Sequence, residues 1–126
     1  MTTTRRSLLL FGVATAALAS AANAAETRRV EISQTKTAFE PAELAIRAGD
    51  TVRWRNQGLI EHTVVCDPTK AKNPKHAAYP AGATPFASEP LADGATFEHT
   101  FTVPGVYLYF CQEHEAMEMF GKITVT

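Results

Sequence analysis

The chain has 126 residues, 45% of them hydrophobic and 20% charged, with a formal net charge of −1 at pH 7. A balance this close to neutral leaves no basic surface to neutralise phosphates, which excludes a nucleic-acid partner. The length suits a single domain around one core.

The first segment, TTTRRSLLLFGVATAALASAANAAE, pairs Arg5-Arg6 with an apolar run from Leu8 to Ala19 and a small-residue site at Ala22-Asn23-Ala24. It reads as an export signal over residues 1–24, cleaved before Ala25. The apolar run is shorter than the roughly 20 residues of a membrane helix, so no membrane span is expected after cleavage. Thr4-Arg5-Arg6-Ser7-Leu8-Leu9 resembles a twin-arginine signal, which implies the bacterial periplasm. Removing Arg5 and Arg6 leaves 10 basic against 13 acidic residues, so the mature chain, 25–126, carries a charge of −3. An oxidising compartment would favour a disulfide between Cys66 and Cys111.

From Arg28 onward the pattern is β. RRVEIS (28–33) alternates, and AELAIRAGDTVRWRN (42–56) reads as two strands around an Ala48-Gly49-Asp50 turn. In the second of these, Val52 and Trp54 point inward while Thr51, Arg53 and Arg55 point out. HTVVC (62–66) reads as a short apolar strand, and ATFEHTF (95–101) places Phe97, His99 and Phe101 on one face. VYLYFC ends at Cys111 after a Pro104-Gly105 turn, and FGKITVT closes the chain. Short strands separated by Gly/Pro turns predict an all-β, antiparallel sandwich or barrel of about eight strands. Residues 67–93 hold five prolines and no clear strand; they predict a long, stiff loop, a kind that is usually functional or mobile.

The chemistry concentrates in FCQEHEAMEMF (110–120). Cys111 ends a strand and His114 follows closely, so both side chains converge at one end of the domain. His62, at the start of its strand after the Gly58-Leu59-Ile60-Glu61 loop, is placed to join them. Strand direction puts His99 about four residues below that end, partly buried between two phenylalanines, and Pro85 to Leu91 beside the site. His76 reads as a solvated loop histidine and Cys66 as a small buried hydrophobe. Two imidazoles, a thiolate and a thioether suit copper, with three strong donors in a plane and a weak axial methionine. Structural zinc takes Cys and His without Met, and a c-type haem needs Cys-x-x-Cys-His, which is absent. A Cys–His hydrolytic pair would lack an oxyanion hole and an orienting third residue. The local pattern does not choose between Met117 and Met119.

YFCQEHEAMEMFGKITV resembles the C-terminal signature of the cupredoxin family, in particular its plastocyanin and pseudoazurin group. NQGLIEHTVV resembles the family's first-histidine segment, and FTVPGVYLYFC its Pro-Gly turn and aromatic strand. The resemblance spans most of residues 30–126 apart from 67–93. It implies a Greek-key β-sandwich with one copper per chain, cycling between Cu(I) and Cu(II) under an apolar end surface. It places the axial ligand at Met119, completing the set His62, Cys111, His114 and Met119, with Met117 packing or on the surface. It implies that the Thr63 N–H donates to the thiolate, that the Thr63 hydroxyl ties the two ligand loops together, and that electrons pass through the edge of His114. The chain departs from the family at Phe110, where plastocyanins carry a tyrosine used as a lateral electron route, and at Glu61. It also departs at Glu113, Glu115 and Glu118, which read as a solvated rim or as steering for a cationic partner.

These readings combine into a non-enzymatic, monomeric one-electron carrier. Its expected partner is another redox protein, a c-type cytochrome or a periplasmic reductase. The alternative is a copper protein that sequesters or delivers the ion, which Met117, Glu115 and Glu118 would serve. A copper oxidase or nitrite reductase would need further copper centres, and one ligand set is visible.

Overall fold

A computed structural model of the chain describes residues 24–126, so the expected signal over 1–24 lies outside the described residues except for Ala24. Among the described residues nine strands form two sheets: β1 (Thr27–Ile32), β2 (Phe39–Glu40), β3 (Glu43–Ile46), β4 (Thr51–Asn56), β5 (Val65–Cys66), β6 (Phe86–Ala87), β7 (Thr96–Thr100), β8 (Gly105–Phe110) and β9 (Phe120–Val125). The first sheet has the order β2-β1-β4-β7 and the second β3-β9-β8-β5-β6. Together they make an all-β sandwich of the Greek-key kind, with 3-10 turns as the helical elements among the described residues.

Alternation builds the core. Val30 and Ile32 on β1, Val52 and Trp54 on β4, Tyr107 and Tyr109 on β8, and Ile123 and Val125 on β9 are all buried. Their neighbours in sequence face outward, as a period of two requires. Trp54 lies at the centre, with ring centroids of Phe86, Phe97, Phe101 and Tyr109 at 6.1, 5.7, 6.4 and 5.4 Å.

The structure corrects the expected organisation in three places. Both sheets are mixed rather than antiparallel, because β1 runs parallel to β4 and β3 parallel to β9. The two strands expected within 42–56 form as β3 and β4, and Gly49, at φ 98°, turns the chain between them from the second sheet into the first. HTVVC forms a strand only at Val65–Cys66, where Val65 pairs with Phe110. The chain then turns at Asp67, so this strand is far shorter than the run expected to lead away from the site. Residues 67–93 carry more structure than a loop, with 3-10 turns at Pro68–Lys70 and Pro74–His76, the strand β6, and a bridge from Ala78 to Leu108. Asp67 and Asn73 cap those turns by accepting from the N–H groups of Thr69 and Lys75, both at 3.0 Å.

This strap covers the outer face of the second sheet. Phe110 points away from the main core, and there it forms a second apolar cluster with Val65 and Ala77, flanked by Ala71, Ala87 and Phe120. A phenylalanine that would otherwise face water is fully buried as a result.

Candidate metal centre

β4 and β8 both run toward the same end of the sandwich, and the loops that follow them carry the donors. At the end of β4 the buried Asn56 side chain donates to the carbonyls of Ile60 and Leu91, each at 2.8 Å, and accepts from the Gly58 N–H at 3.0 Å. Those bonds fold residues 57–61 back over the sheet end and deliver His62. His62 is then held by a two-way backbone bridge to Leu91, at 3.3 and 2.8 Å. At the end of β8, the Cys111 N–H donates to the Met119 carbonyl at 3.1 Å, and the N–H groups of His114 and Met119 donate to Cys111 and His114 at 3.2 and 3.3 Å. Glu118 takes the left-handed conformation, φ 59°, that closes the 3-10 turn Gln112–Met117. The loop from 111 to 119 is thus tied to itself through the main chain.

His62, Cys111 and His114 meet with their ligand atoms within 4.8 Å of one another. The Cys111 Sγ lies 3.7 Å from His62 Nδ1 and 3.5 Å from His114 Nδ1. His62 is 3% exposed and Cys111 0%, whereas His114 is only half-buried. Burial pushes the Cys111 thiol up to about 11, with the Thr63 N–H opposing and Glu113 adding to the rise. Burial also lowers His62, helped by the His114 charge. A metal ion needs a proton-free imidazole, which the lowering of His62 favours, and a thiolate, so binding has to displace the proton that burial holds on Cys111.

Thr63 joins the two loops. Its N–H points at Cys111 Sγ at 3.5 Å, and its hydroxyl accepts from the Gln112 N–H and donates to Glu113 Oε2, both at 2.9 Å. The Cys111 thiol donates to the same Glu113 oxygen at 3.1 Å. Burial raises Glu113, yet its bonds from Cys111, its own backbone and Thr63 outweigh that and hold it below the usual carboxylate range.

The remaining candidates sort clearly. Met119 is 1% exposed beneath the loop, while Met117 is 64% exposed. His99 lies on β7 opposite Val52, far down the sandwich, its ring stacked on Phe86 at 4.0 Å. Cys66 is a buried free thiol, pushed by burial up to about 12, and Cys111 is free as well. Leu91 borders the site, as strand direction required. Two readings are corrected. His76 is not a solvated histidine: its Nδ1 lies 2.7 Å from Glu115 Oε2 and its ring packs on Phe120 at 4.4 Å. Glu115 is not a solvated rim residue either, being 5% exposed. Glu113 reaches inward with its carboxylate although much of its side chain faces water. The sequence offered Asn56 only as part of a resemblance, and its three-bond role needed the folded loop.

Two imidazoles, a thiol and a buried thioether match a type 1 copper site. The profile of the copper binding proteins of the plastocyanin/azurin family matches residues 26–126. A plastocyanin from Nostoc punctiforme is 34% identical over 122 residues, which cover 93% of this chain and 86% of that one. A chloroplastic plastocyanin from Hordeum vulgare is 35% identical over 91 residues, 69% of this chain and 54% of that one, so the chain spans about half of that relative. The solved structure of a Cu(I) amicyanin variant superposes with a TM-score of 0.63 at 29% identity, covering 84% of this chain and 89% of the other. With its profile match running from Glu26 to the last residue, the chain belongs to the plastocyanin/azurin family of copper-binding proteins.

Proposed function

We propose that the protein is a periplasmic one-electron carrier in which His62, Cys111 and His114 supply the strong copper ligands and Met119 the weak axial one. The observation that carries this reading is the convergence of the three donor atoms within 4.8 Å around a fully buried thiol. Copper bound there would supply a Cu(I)/Cu(II) couple. The chain's part is to hold the donors still, so that little reorganises when the charge changes. The backbone ties within 111–119, the Asn56 bonds and the Thr63 bridge all serve that end. On ligation the Cys111 proton leaves, and the Thr63 N–H remains as a donor to the sulfur.

His114 is the more exposed of the two imidazoles and offers the electron path. The exposed side chains of Leu59, Ile60 and Met117 lie on the loops that carry His62 and His114, and provide a small apolar contact surface. Glu61 and Glu118, exposed on the same loops, would steer a cationic redox partner, such as a c-type cytochrome or a periplasmic reductase. The chain acts as a monomer without catalysing a reaction of its own. Residues 1–24 are the export signal, and 25–126 the working domain. A second reading, copper delivery, is favoured by the solvent-exposed thioether of Met117.

Adding Cu(II) to the purified protein tests the proposal. An intense blue thiolate-to-copper band with narrow copper hyperfine splitting is expected, followed by fast electron self-exchange. Met119→Leu should change both spectra, and Met117→Leu neither. A colourless product overturns the reading, and rapid transfer of Cu(I) to an acceptor with slow self-exchange favours delivery.

A further inference from the structure

We propose that Glu115 and His76 form a clamp through which the 67–93 strap fixes the metal-binding loop, making both positioning residues for the centre. This rests on the ligand assignment above. Glu115 follows His114 directly, and its carboxylate turns away from the sulfur and into the strap. There it accepts from the N–H groups of Lys72 and Asn73 at 2.9 and 3.0 Å and meets His76 Nδ1 at 2.7 Å. A buried carboxylate is tolerated only with such partners, and two strap amides depend on it in return. The Lys72 N–H is the largest of the effects that hold Glu115 down at about 2, with the Asn73 N–H and His76 adding to it against burial.

The strap grips the loop at its far end as well. The His76 ring lies against Phe120, the residue after Met119, with a centroid separation of 4.4 Å. One histidine therefore braces the chain just past His114 and just past Met119. Rigidity on the strap side comes from the two capped 3-10 turns, each with a proline in its first turn. The apolar cluster of Val65, Ala77 and Phe110 lies beneath. Swinging His114 outward would pull the Glu115 carboxylate from its partners, so the clamp opposes release of the metal. This gives the strap a second role beside the burial of Phe110.

The test follows loss of the thiolate-to-copper band when a strong chelator is added to the copper-loaded full chain. Glu115→Ala and His76→Leu should release copper about 10- to 100-fold faster, the range for loss of a group that orients a ligand. His76→Gln keeps a donor for the carboxylate and should restore most of the difference. Glu89→Gln removes an exposed charge from the strap outside the clamp and should release at the wild-type rate. Release from both Glu115→Ala and His76→Leu at the Glu89→Gln rate overturns the proposal. If Glu115→Ala does not fold, His76→Leu against His76→Gln decides alone. Should the wild type give no blue band, the ligand assignment fails instead. Amide exchange in the metal-free protein then decides the clamp, and unprotected Lys72 and Asn73 amides overturn it.

Discussion

Thr63 shows how one residue serves two loops by two different groups. Its main-chain N–H belongs to the sulfur, so no side-chain change removes it, while its hydroxyl satisfies Gln112 and Glu113. Thr63→Val keeps the shape and takes away only the hydroxyl. The Gln112 N–H then loses its partner in a partly buried place, which should cost about 1–3 kcal/mol. Urea unfolding of the metal-free protein measures it, and the blue band of the copper form should persist because the N–H is untouched. A loss of stability indistinguishable from zero would show that water replaces the hydroxyl. At this scale the sequence was readable where ligands sit close together in the chain. Cys111 and His114 announce themselves by spacing, whereas Glu115 and His76 lie 39 positions apart. A glutamate in a loop looks solvated until the strap that buries it is in place.

Among the elements, β8 and β9 fit closely where Tyr109 meets Gly121. Tyr109 is opposite Gly121, and a methyl group added at Gly121 would fall inside the Tyr109 ring. That ring cannot yield easily, since it is 1% exposed and touches Phe39 and Trp54 edge-on at 4.8 and 5.4 Å. Gly121→Ala should therefore destabilise the fold by about 1–3 kcal/mol through overpacking, read as a lower urea midpoint with an unchanged slope. Alternation found the inward face of β4, at Val52 and Trp54, and the face shared by Phe97 and His99 on β7, because each strand carries that signal in its own residues. It did not find the parallel pairings. The turn at Gly49 looks the same whether the flanking strands pair with each other or join separate sheets. Only contacts distant in sequence, β3 with β9 and β1 with β4, decide that.

On the scale of the whole molecule, the end opposite the metal centre has its own anchor. Asp50, 4% exposed, accepts from the N–H groups of Glu26 and Arg47 at 2.8 and 3.0 Å. Those two bonds, with the charges of Arg47 and Arg28, hold its carboxyl below the ordinary 3.8 despite burial. The unfolded chain then takes up the proton more readily than the folded one, so this contribution is complete above about pH 4 and disappears as pH falls through the lowered value. Asp50→Asn should melt lower than wild type near pH 7, and the gap should narrow as pH falls below the ordinary 3.8. Equal gaps above and below that pH would show that the carboxylate charge is not what matters.

The same parallel arrangement gives the molecule two unlike poles. Thr27 pairs with Thr51 at the start of β4, and Thr126 exchanges backbone hydrogen bonds with Ile46 and Ala48, so the described residues begin and end on the Asp50 side. His62, Cys111 and His114 occupy the other side. A peptide linker joined at Glu26 or at Thr126, whether to an electrode coating or to a fused protein, would leave the metal pole pointing outward and unobstructed.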